Sequence, residues 1–211
     1  MPYVGISYLQ TRENLLSVAE HFQLQDLCQK RHLFLKVKEA NASILWPRTD
    51  NNFKVVRVVD FDDNGVLLLK NALNRLNMEA KPNGIQLNMV FPPITELVDF
   101  MNQSGLPFFM LRIRKDSFQA ARNSTDVFVK MVRKYTNHSL IDYLVFNADS
   151  ESLPYFKAVK ESGILVSLSV VGNIEAVKSF VAIDPNVSIE IETILLEEMK
   201  EFLDMSKMIG G

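Results

Sequence analysis

Polar residues recur along this chain at one kind of place: the ends of short apolar, strand-like runs. Ser7 and Tyr8 end one run, Asp60 ends another with Asp62 and Asp63 just beyond, and Gln86 and Asn88 lie at the end of a third. Arg112 and Arg114, Asn147 and Asp149, Ser167 and Ser169, and Glu190, Glu192 and Thr193 complete the set. Amides, guanidinia and hydroxyls of this kind can hold a small polar molecule, and carboxylates such as Asp60 and Asp149 can exchange protons with it. Taken singly, each also suits a strand end that merely meets solvent. The set gains meaning only if the fold brings these ends to one mouth.

The stretch Ser169-Val-Val-Gly-Asn-Ile-Glu-Ala-Val adds a strand, a tight Gly172-Asn173 turn and a helix start. First-turn N–H groups and the helix dipole make such a start an anion site. Asn173 as a simple N-cap is the competing reading, and Glu175 would repel a phosphate there. Both readings stay open.

Other groups point to less. Asp60-Phe-Asp-Asp-Asn-Gly lacks the spacing and closing glutamate of a calcium loop and reads as a solvated turn. His21, His32 and His138 show no ligand or triad spacing, and Cys28 reads as a small buried hydrophobe. No metal and no cofactor is expected. The Asn-X-Ser/Thr triplets at Asn41, Asn102, Asn123, Asn137 and Asn186 are what an Asn-rich chain produces by chance.

Composition bounds the rest. The 211 residues are 47% hydrophobic and 23% charged, ordinary for one globular domain with a sizeable core. Lys+Arg 23 against Asp+Glu 25 gives a net charge of −2, without the basic footprint of a nucleic-acid binder. No apolar run nears the roughly 18 residues of a membrane span, and the first residues do not read as a signal peptide. A cytoplasmic protein with a small-molecule partner is expected, its oligomeric state left open.

The elements that must position the polar set alternate. Strand-like runs at 3–9, 53–61, 84–90, 107–113, 141–147, 164–170 and 187–192 are each followed by a helical stretch. The second strand is either 32–37 or 42–46, so the second unit is irregular. Pro92 and Pro93 suit a helix start, Gly105 and Gly163 suit helix ends, and one long helix is expected over 118–135. Several strands are apolar almost throughout, as strands covered on both faces must be. Eight strand–helix units without a linker predict an α/β fold: a single (β/α)8 TIM barrel spanning 1–211. In that fold the strand ends converge on the C-terminal mouth. The inward faces should stack bulky apolar side chains, with Val58, Leu87 and Val145 among them.

Four segments then resemble the phosphoribosylanthranilate isomerase family. They are Val56-Arg-Val-Val-Asp-Phe-Asp-Asp-Asn, Gly84-Ile-Gln-Leu-Asn with Pro92, Asp142-Tyr-Leu-Val-Phe-Asn, and Leu168-Ser-Val-Val-Gly-Asn-Ile-Glu-Ala-Val. Trp46-Pro47-Arg48 is similar to a fifth, weaker motif. The resemblance implies a small barrel enzyme of tryptophan biosynthesis that performs an Amadori rearrangement. Its general base is a cysteine on strand one and its general acid an aspartate on strand six.

The departures fall on that chemistry. The matching positions hold Ser7 and Asn147, Asn88 replaces the family's histidine, and Val170 and Val171 replace its paired glycines. A serine without an activating base does not abstract this proton near neutral pH, and an amide has none to deliver. The family's strand-eight phosphate motif is not recognisable around Glu190 and Glu192. Three expectations follow. The chain is an isomerase-like enzyme on a phosphorylated sugar-type molecule with acid–base roles moved to Asp60 or Asp149, or a non-catalytic barrel binding a small ligand or protein partner. The third is a lyase-type enzyme using groups such as Arg112 and Glu192. Gln86, Asn88, Arg112, Gly172, Asn173 and Glu192 are the expected ligand contacts.

Overall fold

The computed structural model describes residues 4–8, 34–38, 54–60, 84–88, 90–106 and 109–193, with side chains from 84 onward except 174 and 191–193. Eight strands run parallel: β1 Val4–Tyr8, β2 Phe34–Lys38, β3 Lys54–Asp60, β4 Gly84–Asn88, β5 Phe109–Arg112, β6 Tyr143–Asn147, β7 Ser167–Val171 and β8 Ser188–Thr193. Each pairs with its chain neighbour, and β8 closes on β1 with Ile191 opposite Ile6. The result is a closed parallel barrel.

The described helices cover the strands from the fourth onward: α1 Ile94–Ser104, α2 Lys115–Ala120, α3 Thr125–Asn137, α4 Leu153–Glu161 and α5 Ile174–Ile183. β2 falls on the first of the two expected segments. Helices expected after β1, β2, β3 and β8 lie outside the described residues, as do Cys28, His21, His32, Asp62 and Asp63. Among the described residues no helix is long and apolar enough to cross a membrane.

Local chemistry explains the helix limits. Pro93 stands at the N-cap position of α1, and Gly105, at φ 61°, ends it by donating its N–H to the Met101 carbonyl at 3.2 Å. Pro154 sits in the first turn of α4, and Gly163 at φ 67° follows it. The single helix expected over 118–135 is instead two. Arg122 and Asn123 take left-handed φ values of 55° and 51°, and the Ser124 hydroxyl then caps α3 by accepting the Val127 N–H at 3.4 Å. An Asn-Ser-Thr run supplies both the residue that tolerates that turn and a new cap.

Each helix lays one apolar face on the barrel. Phe128, Val132 and Tyr135 of α3 recur at helical spacing and are buried. Between sheet and helices an aromatic chain runs from Phe128 through Phe146 of β6 and Phe156 of α4 to Phe180 of α5, with ring centres 5.0–6.2 Å apart. Such pairs contribute about 0.5–1.5 kcal/mol each beyond the area they bury. Ile85, Leu87, Leu111, Leu144, Leu168, Val170 and Ile189 join this outer core.

The alternate strand positions face inward, and the expectation for them needs correcting. Val145 is inside, with Met110, Val171 and Tyr143. Leu87 is outside, against the helices, and the Val58 side chain is not described. The rest of the described interior is polar: Gln86, Asn88, Ser169, Ser188 and Glu190 are all buried there. Apolar runs such as GIQLN conceal this, because alternate positions feed a greasy outer shell and a hydrogen-bonded centre.

Candidate functional site at the C-terminal mouth

The barrel's parallel strands deliver the sequence-selected residues to one end. Asn88 ends β4, Arg112 ends β5 and Asn147 ends β6, while Gly172 and Asn173 follow β7. Ser7 of β1 stands in register with Glu192 of β8, and Asp60 of β3 with Asn88. The side chains of Ser7, Asp60 and Glu192 lie outside the described residues.

Strands five and six are joined by side chains. Arg112 starts level with Val145 and reaches toward the mouth. Its Nη2 donates to Asn147 Oδ1 at 2.7 Å and its Nε to the same oxygen at 3.3 Å. Both groups are half-buried. A guanidinium has no acceptor, so the Asn147 amide must present its oxygen to Arg112, and its NH2 remains on the other side. The position that the isomerase resemblance assigns to a general acid thus holds an amide oriented by an arginine.

Beside this pair, Gln86 Nε2 donates to Asn88 Oδ1 at 2.8 Å, and Arg114 Nη1 reaches the Asn88 carbonyl at 3.4 Å. Arg114 is exposed and 3.8 Å from Asp116, while Lys115 is 3.7 Å from Glu151. Solvent weakens pairs of this kind. The β5 exit therefore carries three cationic side chains, Arg112, Arg114 and Lys115.

Beyond β6, Glu190 and Glu175 are on β8 and α5. Glu190, 2% exposed inside the barrel, accepts the Ser169 hydroxyl proton in a hydrogen bond. Glu175, in the first turn of α5, is exposed and 2.6 Å from Lys178. The Gly172 N–H does not face the mouth as a phosphate donor, because it donates to the Glu190 carbonyl at 3.2 Å. The Asn173 side chain caps α5 by accepting the Ala176 N–H at 2.9 Å. The glycine has its own structural reason: a Cβ on Gly172 would stand 2.5 Å from Cβ of Ala148.

Asp149, the nearer candidate acid–base group, is exposed, and its Oδ1 accepts the Ser152 N–H at 2.7 Å ahead of α4. That bond fixes the carboxylate toward its own loop. Among the described residues no group of three His, Cys, Asp or Glu could hold a metal ion.

Two features escaped sequence reasoning. The Arg112–Asn147 pairing joins residues 35 apart, and its signal was their shared place at the ends of adjacent strands. The Gly172–Ala148 contact left only a small residue after Asn147 as its trace.

No protein-family model and no curated protein matches the chain. Among solved structures it is similar to N-acetylmannosamine-6-phosphate 2-epimerase from Clostridium perfringens. The two superpose with a TM-score of 0.57 at 10% identity, over 96% of this chain and 93% of that one. At that identity the likeness speaks for the barrel fold.

Proposed function

We infer that the chain is a single (β/α)8 domain over 1–211 that binds a phosphorylated sugar-type molecule at its C-terminal mouth, in the cytoplasm. On this reading it is an isomerase-like barrel that has lost the phosphoribosylanthranilate isomerase reaction. Two independent likenesses support the ligand class. The sequence motifs resemble an enzyme of a phosphoribosyl substrate, and the similar solved barrel is by name a phosphorylated-sugar epimerase.

The observation that carries the loss of reaction is the Asn147 amide held by Arg112. A general acid must release a proton to the leaving or rearranging group, and an amide fixed by its oxygen can only donate a hydrogen bond. Asp149 is turned to the Ser152 N–H and does not replace it. The same observation favours binding over turnover, so a barrel that binds a small ligand or partner without catalysis is the form of this reading we adopt.

The test has two arms on the purified full chain. Assayed with phosphoribosylanthranilate, the protein should show no isomerisation at an enzymatic rate, since each acid–base group is worth about 10²–10⁴-fold. Screened by thermal shift against sugar phosphates, it should be stabilised; a ligand at 100 Kd adds about 2.7 kcal/mol. Complementation of an isomerase-deficient strain would overturn the loss of reaction, and silence across the screen would overturn the ligand class.

A further inference from the structure

We propose that Lys38 at the end of β2 and Glu192 near the end of β8 form the polar floor of the mouth, where the hydroxyl-bearing end of a sugar-type ligand binds. This rests on the ligand class inferred above and names the residues and the part of the ligand that meet. The register of the closed ring carries it.

Partners across parallel strands share a face of the sheet, and faces alternate along each strand. Glu190, buried inside, pairs with Gly5, and two residues further along Ser7 pairs with Lys36. From the other side, Gln86, also buried inside, pairs with Val58, and Val58 with Lys38. The two walks meet. Lys36 and Lys38 take inward-face positions on β2, as Glu190 and Glu192 do on β8. Between these strands, β1 places the small residues Gly5 and Ser7 on that face.

Followed once around the ring, paired positions slip back by one residue per strand, the stagger of a barrel of shear 8. Positions of equal height therefore come from alternate strands, in groups of four. Lys38, Asn88, Asn147 and Glu192 are one such group, at the strand ends below the mouth. Two residues lower on the same strands, Lys36 and Glu190 share another. The described side chains agree with this stacking: Arg112 and Ser169 each bond to the group just above their own, at Asn147 and Glu190.

Two lysines and two glutamates are thus matched across the barrel, one of each per group. Interior charge is tolerated where it is paired and hydrogen-bonded. Glu190 accepts the Ser169 hydroxyl proton and engages a further partner as well. The upper group has the chemistry of a polyol site. An ammonium only donates, a carboxylate only accepts, and Asn147, whose Oδ1 is taken by Arg112, offers its NH2. A sugar hydroxyl does both, so adjoining hydroxyls fit this floor. A phosphate gains little there, because Glu192 offsets what Lys38 attracts.

The test has a folding arm and a binding arm, both on the full chain. Lys38→Glu sets two carboxylates in one group and Glu192→Lys two ammonium groups, so each should lower the urea midpoint. The exchanged double variant restores one of each and should recover most of the loss. A double variant no better than the singles overturns the proposal. A single variant that fails to fold is read the same way, by whether the double folds.

Binding is measured by titration calorimetry with a panel of pentose and hexose phosphates and with inorganic phosphate. Lys38→Met and Glu192→Gln should each weaken the tightest sugar phosphate by about tenfold or more, the loss of one charge-assisted hydrogen bond. Inorganic phosphate, which lacks the sugar hydroxyls, should be affected far less. Unchanged sugar-phosphate affinity in either variant overturns the floor, as does an equal loss for inorganic phosphate. Failure of the sugar-type reading looks different: no member of the panel binds the parent chain, and the floor's role falls with it.

Discussion

A single methyl group at position 172 is enough to disturb the mouth. Gly172→Ala would place a Cβ 2.5 Å from Cβ of Ala148, and both residues are held by backbone hydrogen bonds, Ala148 N–H to the Val171 carbonyl and Gly172 N–H to the Glu190 carbonyl. Overpacking of this kind costs about 1–3 kcal/mol. Urea denaturation should register that loss, and Ala148→Gly in the same chain should recover most of it; a double variant no better than the single one would refute the contact. Asn147→Asp makes the second prediction at this scale. The new carboxyl would lie against the Arg112 guanidinium, which favours the charged form and lowers its pKa. It would therefore be ionised at neutral pH and useless as a general acid, so the substitution alone should not create isomerase activity. An active Asn147→Asp protein in the same assay would show that Arg112 does not control the group.

Among the elements, α3 depends at its start on one hydroxyl. Ser124→Ala removes the hydroxyl that accepts the Val127 N–H, a loss of about 1 kcal/mol by comparison with other N-caps. A fall in Tm that Ser124→Asp does not share would confirm it. At its other end Tyr135 ties α3 to the start of α1, donating its hydroxyl to the Pro92 carbonyl. Burial raises the Tyr135 pKa to about 12. A phenol that titrates near 10 when unfolded and near 12 when folded contributes stability that is complete below pH 10 and is lost as pH rises to 12. Alkaline unfolding followed by far-UV dichroism should move to higher pH in Tyr135→Phe, measured against its own neutral-pH stability; an unmoved transition would assign the alkaline limit elsewhere. At this scale the sequence was easiest to read where a residue's own backbone preference decides the outcome. Pro92 and Pro93, Gly105, Gly163 and Asn173 marked helix limits correctly, because proline geometry, left-handed glycine and capping are local effects. The break at Arg122 and Asn123 was hidden inside a run with helical periodicity. The polar centre was hidden for a different reason: Ile85 and Leu87 dominate their strand, while the destinations of Gln86 and Asn88 depend on which face the barrel turns inward. Pairings such as Arg112 with Asn147 are properties of the closed ring and are absent from either strand alone.

For the whole molecule, the closed ring gives strands β1 to β8 no open edge, and the solved barrel at 10% identity shows that this arrangement tolerates almost complete replacement of side chains. A closed ring that accepts a polar centre also has a calorimetric signature. Heat capacity rises when apolar surface meets water and falls when polar surface does, so their ratio in the interior sets how sharply stability bends with temperature. With Gln86, Asn88, Ser169, Ser188 and Glu190 inside, unfolding should show a heat-capacity increment at or below the low end of the usual 12–15 cal/mol/K per residue, about 12. Scanning calorimetry at several pH values measures it, and a value near about 15 would contradict a polar centre. The practical result of a small increment is a broad, shallow stability curve: cooling and mild warming would change the folded population little, and cold unfolding would lie far below freezing.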